Sequence, residues 1–114
     1  MKNVAVYVNQ RVSGVNAMVD ELISELTRHN IAIMRVTTSG PTVVTPHVYI
    51  SFVTDLNKFR GRKFDAIFGA LSYDVKCFVM PCLKDPGKGL IPDTGISKLL
   101  NYIMYEEGSS DDMR

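Results

Sequence analysis

Two stretches of this chain carry the residue types that chemistry needs. The first is Asn9-Gln10-Arg11-Val12-Ser13-Gly14-Val15-Asn16, a polar turn between an apolar run and an apolar-periodic one. A strand that passes through a glycine-bearing turn into a helix gathers free backbone N–H groups and the positive end of a helix dipole at one point, which suits a phosphate. Ser13, Gly14 and the N–H groups of Val15 and Asn16 are the expected cradle, with Asn9 at its lip and Arg11 lending positive charge. The second stretch holds Lys58, Arg60, Arg62 and Lys63 around Gly61, next to Phe59 and Phe64. Cations grouped in this way contact a nucleic-acid backbone, provided that they are more than a solvated loop whose phenylalanines sit in the core. Lys84 and Lys88 add a weaker patch in a long loop, where a protein partner is at least as well placed.

The remaining candidates read as structural. His29 and His47 have no Cys, Ser or carboxylate at a spacing that suggests a triad or a metal site. Cys77 and Cys82 lie in an apolar segment without zinc-ligand spacing and read as reduced core thiols. Met18, Met34, Met80 and Met104 fall in apolar segments and read as gap fillers of the core. Tyr102 and Tyr105 lie off the apolar stripe of the last helix, Tyr102 along the rim of the core.

These residues need elements to hold them. Val4 to Val8 is apolar on both faces, the pattern of a central strand in a sheet covered on both sides. From Val15 to Asn30, Val15, Met18, Val19, Leu22, Ile23 and Leu26 recur at spacings of three and four, which predicts an amphipathic helix that Asn30 stops in the left-handed region. Ile31–Thr37 reads as the next strand, so the opening is strand, helix, strand, and a crossover of this kind predicts a parallel pair. Val48–Val53 reads as a third strand begun after Pro46, Asp55–Arg60 as a short helix stopped by Gly61, and Phe64–Gly69 as a fourth strand. Lys76–Met80 reads as a fifth. Pro81 to Gly95 is too rich in Pro and Gly for an element of its own, and Ile96, Leu99, Leu100, Ile103 and Met104 mark the apolar face of a last helix.

Composition sets the outer bounds. At 114 residues, with 46% hydrophobic and 22% charged, the chain describes one globular α/β domain over residues 1–106, followed by a disordered acidic tail over 107–114. A net charge of +1 excludes a strongly basic nucleic-acid-coating protein and an acidic DNA mimic, since both work through a large field. No apolar stretch approaches the roughly 20 residues that span a bilayer, so the expectation is a cytoplasmic protein with no membrane partner.

The turn at residues 9–16 aligns with GxxxxGK[ST]. Asn9 replaces the first Gly, Gly14 matches the second, Val15 replaces Lys, and Asn16 replaces Ser or Thr. In this the chain resembles a P-loop NTPase core of the phage terminase and helicase-like kind, and Phe59-Arg60-Gly61-Arg62-Lys63-Phe64-Asp65-Ala66-Ile67-Phe68 resembles that family's lead-in to its acidic strand. The resemblance covers residues 3 to about 70. It implies a strand ending in Asp-Glu, which would order Mg²⁺ and polarise the attacking water, yet Gly69 and Ala70 occupy those positions. Asp65 or Asp74 are poorly placed substitutes. Ser13-Gly14-Val15-Asn16-Ala17-Met18-Val19 also resembles the small B subunits of the sugar phosphotransferase system, whose phosphorylated Cys or His is replaced here by Asn9 or Gln10.

The expected architecture is therefore a three-layer α/β sandwich with a mostly parallel sheet of about five strands, P-loop-like or related Rossmann-like. The expected function is a catalytically inactive P-loop-like domain, phage- or mobile-element-encoded, that binds a protein or nucleic-acid partner and needs no cofactor. The alternative is an enzyme that binds a nucleotide or phosphate at the 9–16 turn. A purely structural subunit would form a homo-oligomer burying the last helix and the 81–95 loop.

Overall fold

Lys2–Tyr7 forms β1, and alternation along it sends Val4 and Val6 into one apolar cluster and Ala5 and Tyr7 into another. Both clusters need helical cover, and the chain supplies it. The computed structural model describes residues 1–9, 12–93 and 95–111. On the Val4/Val6 side lie α1 (Val12–Arg28), which buries Val15, Val19, Leu22 and Leu26, and α3 (Ser97–Asp111), which buries Leu99 and Ile103. On the Ala5/Tyr7 side lie a 3₁₀ turn (Leu56–Phe59), α2 (Tyr73–Val79) and a second 3₁₀ turn (Met80–Cys82), contributing Phe59, Val79 and Cys82. Each large apolar side chain so enclosed contributes on the order of 1.5–3 kcal/mol.

The other strands are β2 (Arg35–Thr37), β3 (Thr42–Val44), β4 (Val48–Val53), β5 (Ala66–Gly69) and β6 (Leu90–Pro92), and the sheet runs β2-β3-β4-β1-β5-β6. β4, β1, β5 and β6 are parallel neighbours, whereas β2, β3 and β4 form an antiparallel extension. The register sets Tyr7 opposite Val53 on one side and Gly69 on the other. The second apolar cluster takes Val53 from β4 and nothing from β2 or β3, so helical cover on that side stops short of the hairpin.

Several expectations are met. The helix from residue 12 carries the predicted apolar face, and Asn30 at a φ of 60° ends it, with Ile31 N–H reaching back to Leu26 O. The strands near Val48–Val53 and Phe64–Gly69, the short helical turn closed by Gly61 and the last helix also form where expected.

Others are corrected. Among the described residues the sheet has six strands where about five were expected, and it is mixed, its parallel part carrying the antiparallel β2-β3-β4 extension. Ile31 and Ile33 pack against the core as loop residues. Only Arg35–Thr37 is strand, and it pairs antiparallel with β3 at the edge instead of parallel with β1. Lys76–Met80 is not a strand, because Ser72 accepts the Val75 N–H and starts a helix there. The segment 81–95 does contain structure, a 3₁₀ turn and β6. α3 continues to Asp111 through residues expected to be disordered, and residues 112–114 of that tail lie outside the described residues. With α2 a helix, Cys77 is exposed and only Cys82 is buried, while Met34 and Met80 are 65% and 40% exposed and do not fill the core.

Candidate functional site

The carboxyl ends of β1, β5 and β6 meet where the strand order reverses, the place where open α/β sheets leave a crevice. Tyr7, Val8, Asn9, Met18, Gly69, Ala70 and Asp93 enclose a cleft there of about 70 Å³. The fold thus brings Asn9, Gly69 and Ala70 to one cleft. Arg11 lies outside the described residues. Ser13, Gly14, Val15 and Asn16 are not turn residues, because α1 already starts at Val12. In an α-helix the Asn16 N–H belongs to the i→i−4 ladder, so it is unavailable to a ligand, and Val15 is 2% exposed within the core. Asp93 is the carboxylate nearest the cleft, and it serves α3: one oxygen accepts Gly95 N–H at 3.2 Å and the other Lys98 N–H at 3.0 Å.

The basic cluster is built differently. Phe59 and Phe64 are fully buried and meet edge to face at 5.7 Å, anchoring the two ends of the intervening loop. Gly61, at a φ of +75°, turns the chain between them, with Arg60 and Arg62 on either side of the bend. The Arg60 guanidinium lies over the Phe78 ring at 5.5 Å, and that of Arg62 over the Phe64 ring at 4.8 Å. Arg62 also donates to the hydroxyl of Ser51, 4% exposed on β4, at 3.1 Å, while Lys63 donates to the Pro81 carbonyl at 2.7 Å. Among the described residues, no carboxylate pairs with Lys58, Arg60, Arg62 or Lys63. Three of these cations, with Phe78, Pro81 and Cys82, line a groove of about 510 Å³.

Lys84 and Lys88 do not join this cluster. Lys84 pairs with Asp65 at 3.3 Å, and Lys88 sits exposed on the turn that Asp85 caps. Burial would raise the Asp65 carboxyl, but the Asn3 N–H and Lys84 together hold it below the usual range. Asp65 is thereby a structural anchor.

Sequence reasoning missed Phe78, which was assigned to a strand, and Ser51. The alternation of Val48, Ile50 and Phe52 with Tyr49 and Ser51 was the available signal that one face of β4 is less apolar. Nor does local spacing reveal that His47 meets Glu107. The His47 Nδ1 lies 2.9 Å from Glu107 Oε1, and Glu107 Oε2 accepts the His47 N–H and the Thr45 hydroxyl. Burial would raise the Glu107 carboxyl, and these donors hold it below its ordinary value. His29 lies 3.9 Å from Glu25, whose carboxyl is lowered chiefly by its hydrogen bond to Arg28. Tyr102 packs edge-on against Phe68, and burial, with Glu106 and Asp65 nearby, pushes its hydroxyl up to about 12. Tyr105 is exposed.

Among the described residues no group of three or more His, Cys, Asp or Glu is arranged to hold a metal, and no helix is long and apolar enough to cross a membrane. Comparison with protein-family models, with curated proteins and with solved structures finds no match to the chain.

Proposed function

We propose that this is a non-catalytic binding domain, of silent P-loop-like or related Rossmann-like ancestry, that engages nucleic acid through the Lys58–Lys63 face. The observation that carries the proposal is the un-neutralised cluster itself: four cations with no carboxylate partner among the described residues, two of them lying over aromatic rings and three of them lining a groove. Charge left unpaired in a near-neutral chain is a local field, and phosphates are its natural complement. Arg60 and Arg62 present planar donor forks already oriented by Phe78 and Phe64, which reduces the entropy lost when a phosphate binds.

The enzyme reading has one feature in its favour, the position of the crevice at the reversal of strand order. Against it, a cleft of about 70 Å³ falls far short of the ~300–1,000 Å³ typical of small-molecule sites. Asp93 is committed to α3, and Gly69 and Ala70 offer no carboxylate.

The proposal is tested by titrating fluorescent DNA and RNA oligonucleotides with the protein between ~50 and ~200 mM salt. The expected result is binding that weakens steeply with salt and is lost in the Arg60→Gln/Arg62→Gln double variant. Absence of binding at the lowest salt, or binding indifferent to that variant, overturns it. Thermal unfolding with ATP, GTP and Mg²⁺ tests the enzyme reading, which requires a ligand-dependent rise in melting temperature.

A further inference from the structure

We infer that the bound nucleic acid is single-stranded, with an unpaired base entering a second groove on the far side of Arg62; this rests on the reading above. The second groove, of about 430 Å³, is lined by Thr42, Tyr49, Ser51, Asp55, Lys58 and Arg62, among others. It lies on the part of the sheet that α2 and the 3₁₀ turns leave uncovered. Thr42 is the register partner of Ser51, so the two share a face, and Tyr49 is two residues from Ser51 on the same face.

Charge divides the two grooves. The first is lined by Arg60, Arg62 and Lys63 and no carboxylate, which suits phosphates. The second includes the carboxylate of Asp55 in its lining and offers hydroxyls and an aromatic ring, which suits an uncharged base and disfavours a continuous run of anions. Arg62 lines both, held to Ser51, so a backbone lying along the first groove arrives at the mouth of the second. The Thr42 and Tyr49 hydroxyls make no hydrogen bond with the described residues and are available to a base edge.

Shape excludes the duplex. Base edges of a double helix lie inside its grooves and are read by elements that protrude into them. A recess against a sheet face is reached only by a base splayed out of its stack, which single strands provide. An acidic peptide would satisfy the cations but has no use for a near-neutral recess beside them.

The test compares three labelled polymers of about 12 nucleotides: a single strand, the corresponding duplex, and an abasic strand with the same backbone. The expected result is single-strand binding at least ~10-fold tighter than either of the others. Tyr49→Leu lowers single-strand affinity about 10-fold and leaves abasic affinity unchanged, whereas Tyr49→Phe retains most of it. Thr42→Val, which removes the hydroxyl at constant shape, gives a smaller loss in the same direction and serves if Tyr49→Leu does not fold. Equal affinity for all three polymers, or equal effects of these variants on abasic and base-bearing strands, overturns the inference while leaving the basic-face reading intact. Binding of none of them removes both, and tighter binding of poly-glutamate points to a protein partner and likewise removes both.

Discussion

A β-carbon at Gly69 would overlap the backbone carbonyl of Tyr7, its register partner on β1. Gly69 also holds a φ of +128°, which side-chain-bearing residues rarely adopt. The position that the P-loop resemblance assigns to a metal-binding carboxylate therefore admits no side chain at all. Gly69→Asp and Gly69→Ala are both expected to destabilise the fold by more than about 3 kcal/mol, whereas Ala70→Asp, at an exposed position, is expected to be tolerated. Urea unfolding checks this, and a Gly69→Ala protein as stable as the parent would contradict it.

Glu107 ties α3 to the turn before β4 by accepting from Thr45 and His47. These donors outweigh burial and hold its carboxyl below its ordinary value, so the native state binds fewer protons than the unfolded state as carboxylates titrate. The stabilisation is present above the unfolded-state value and disappears as pH falls through the folded one. Asp65 acts with the same sign. Glu107→Gln should cost about 1–3 kcal/mol at neutral pH and make the acid limb of the stability profile shallower, without abolishing it. Chemical denaturation from pH 3 to 7, roughly the window in which carboxylates titrate, provides the measurement.

Lys63 and Lys88 are both exposed, but only Lys63 lines the groove assigned to phosphates. Lys63→Gln should reduce the slope of log affinity against log salt by about 1, the equivalent of one phosphate contact, whereas Lys88→Gln leaves it unchanged. Equal slopes for the two variants would mean that charge acts through the net field and not through the groove.

Gly61 tests how the loop presents its cations. A β-carbon there meets nothing within 4 Å, so the cost of Gly61→Ala comes from backbone conformation alone, about 1 kcal/mol. Because Arg60 and Arg62 flank the bend, nucleic-acid affinity should fall as well. A variant that loses stability but keeps full affinity would show that the bend does not set the positions of the two guanidinium groups.

Long periodic segments were readable from the chain and short ones were not. α1 declares itself through six apolar residues on one face, and β1 through an apolar run on both. β3, three residues long, has no period to detect, and its place in the sheet depends on pairing with β4. The Cys77–Met80 run is too brief to separate strand from helix by hydrophobicity, and the Ser72 cap was the signal that would have decided it. The cations around Gly61 were legible as a charge run. The placement of Arg60 over Phe78 was not, nor was the Glu107–His47 contact, because both join segments far apart in the chain.

The central strand β1 precedes both of its neighbours in the chain by some distance: Lys2 pairs with Val48 and Val4 with Ala66. β1 thus emerges long before either neighbour exists and remains an unpartnered apolar segment until β4 and β5 follow. Pairings this distant in sequence slow folding, because loop closure must precede the contacts that reward it. α1, which forms locally, follows β1 directly and shields it, burying Val15, Leu22 and Leu26 in the cluster that also holds Val4 and Val6. The stability of that one helix governs how long the nascent chain is exposed to aggregation.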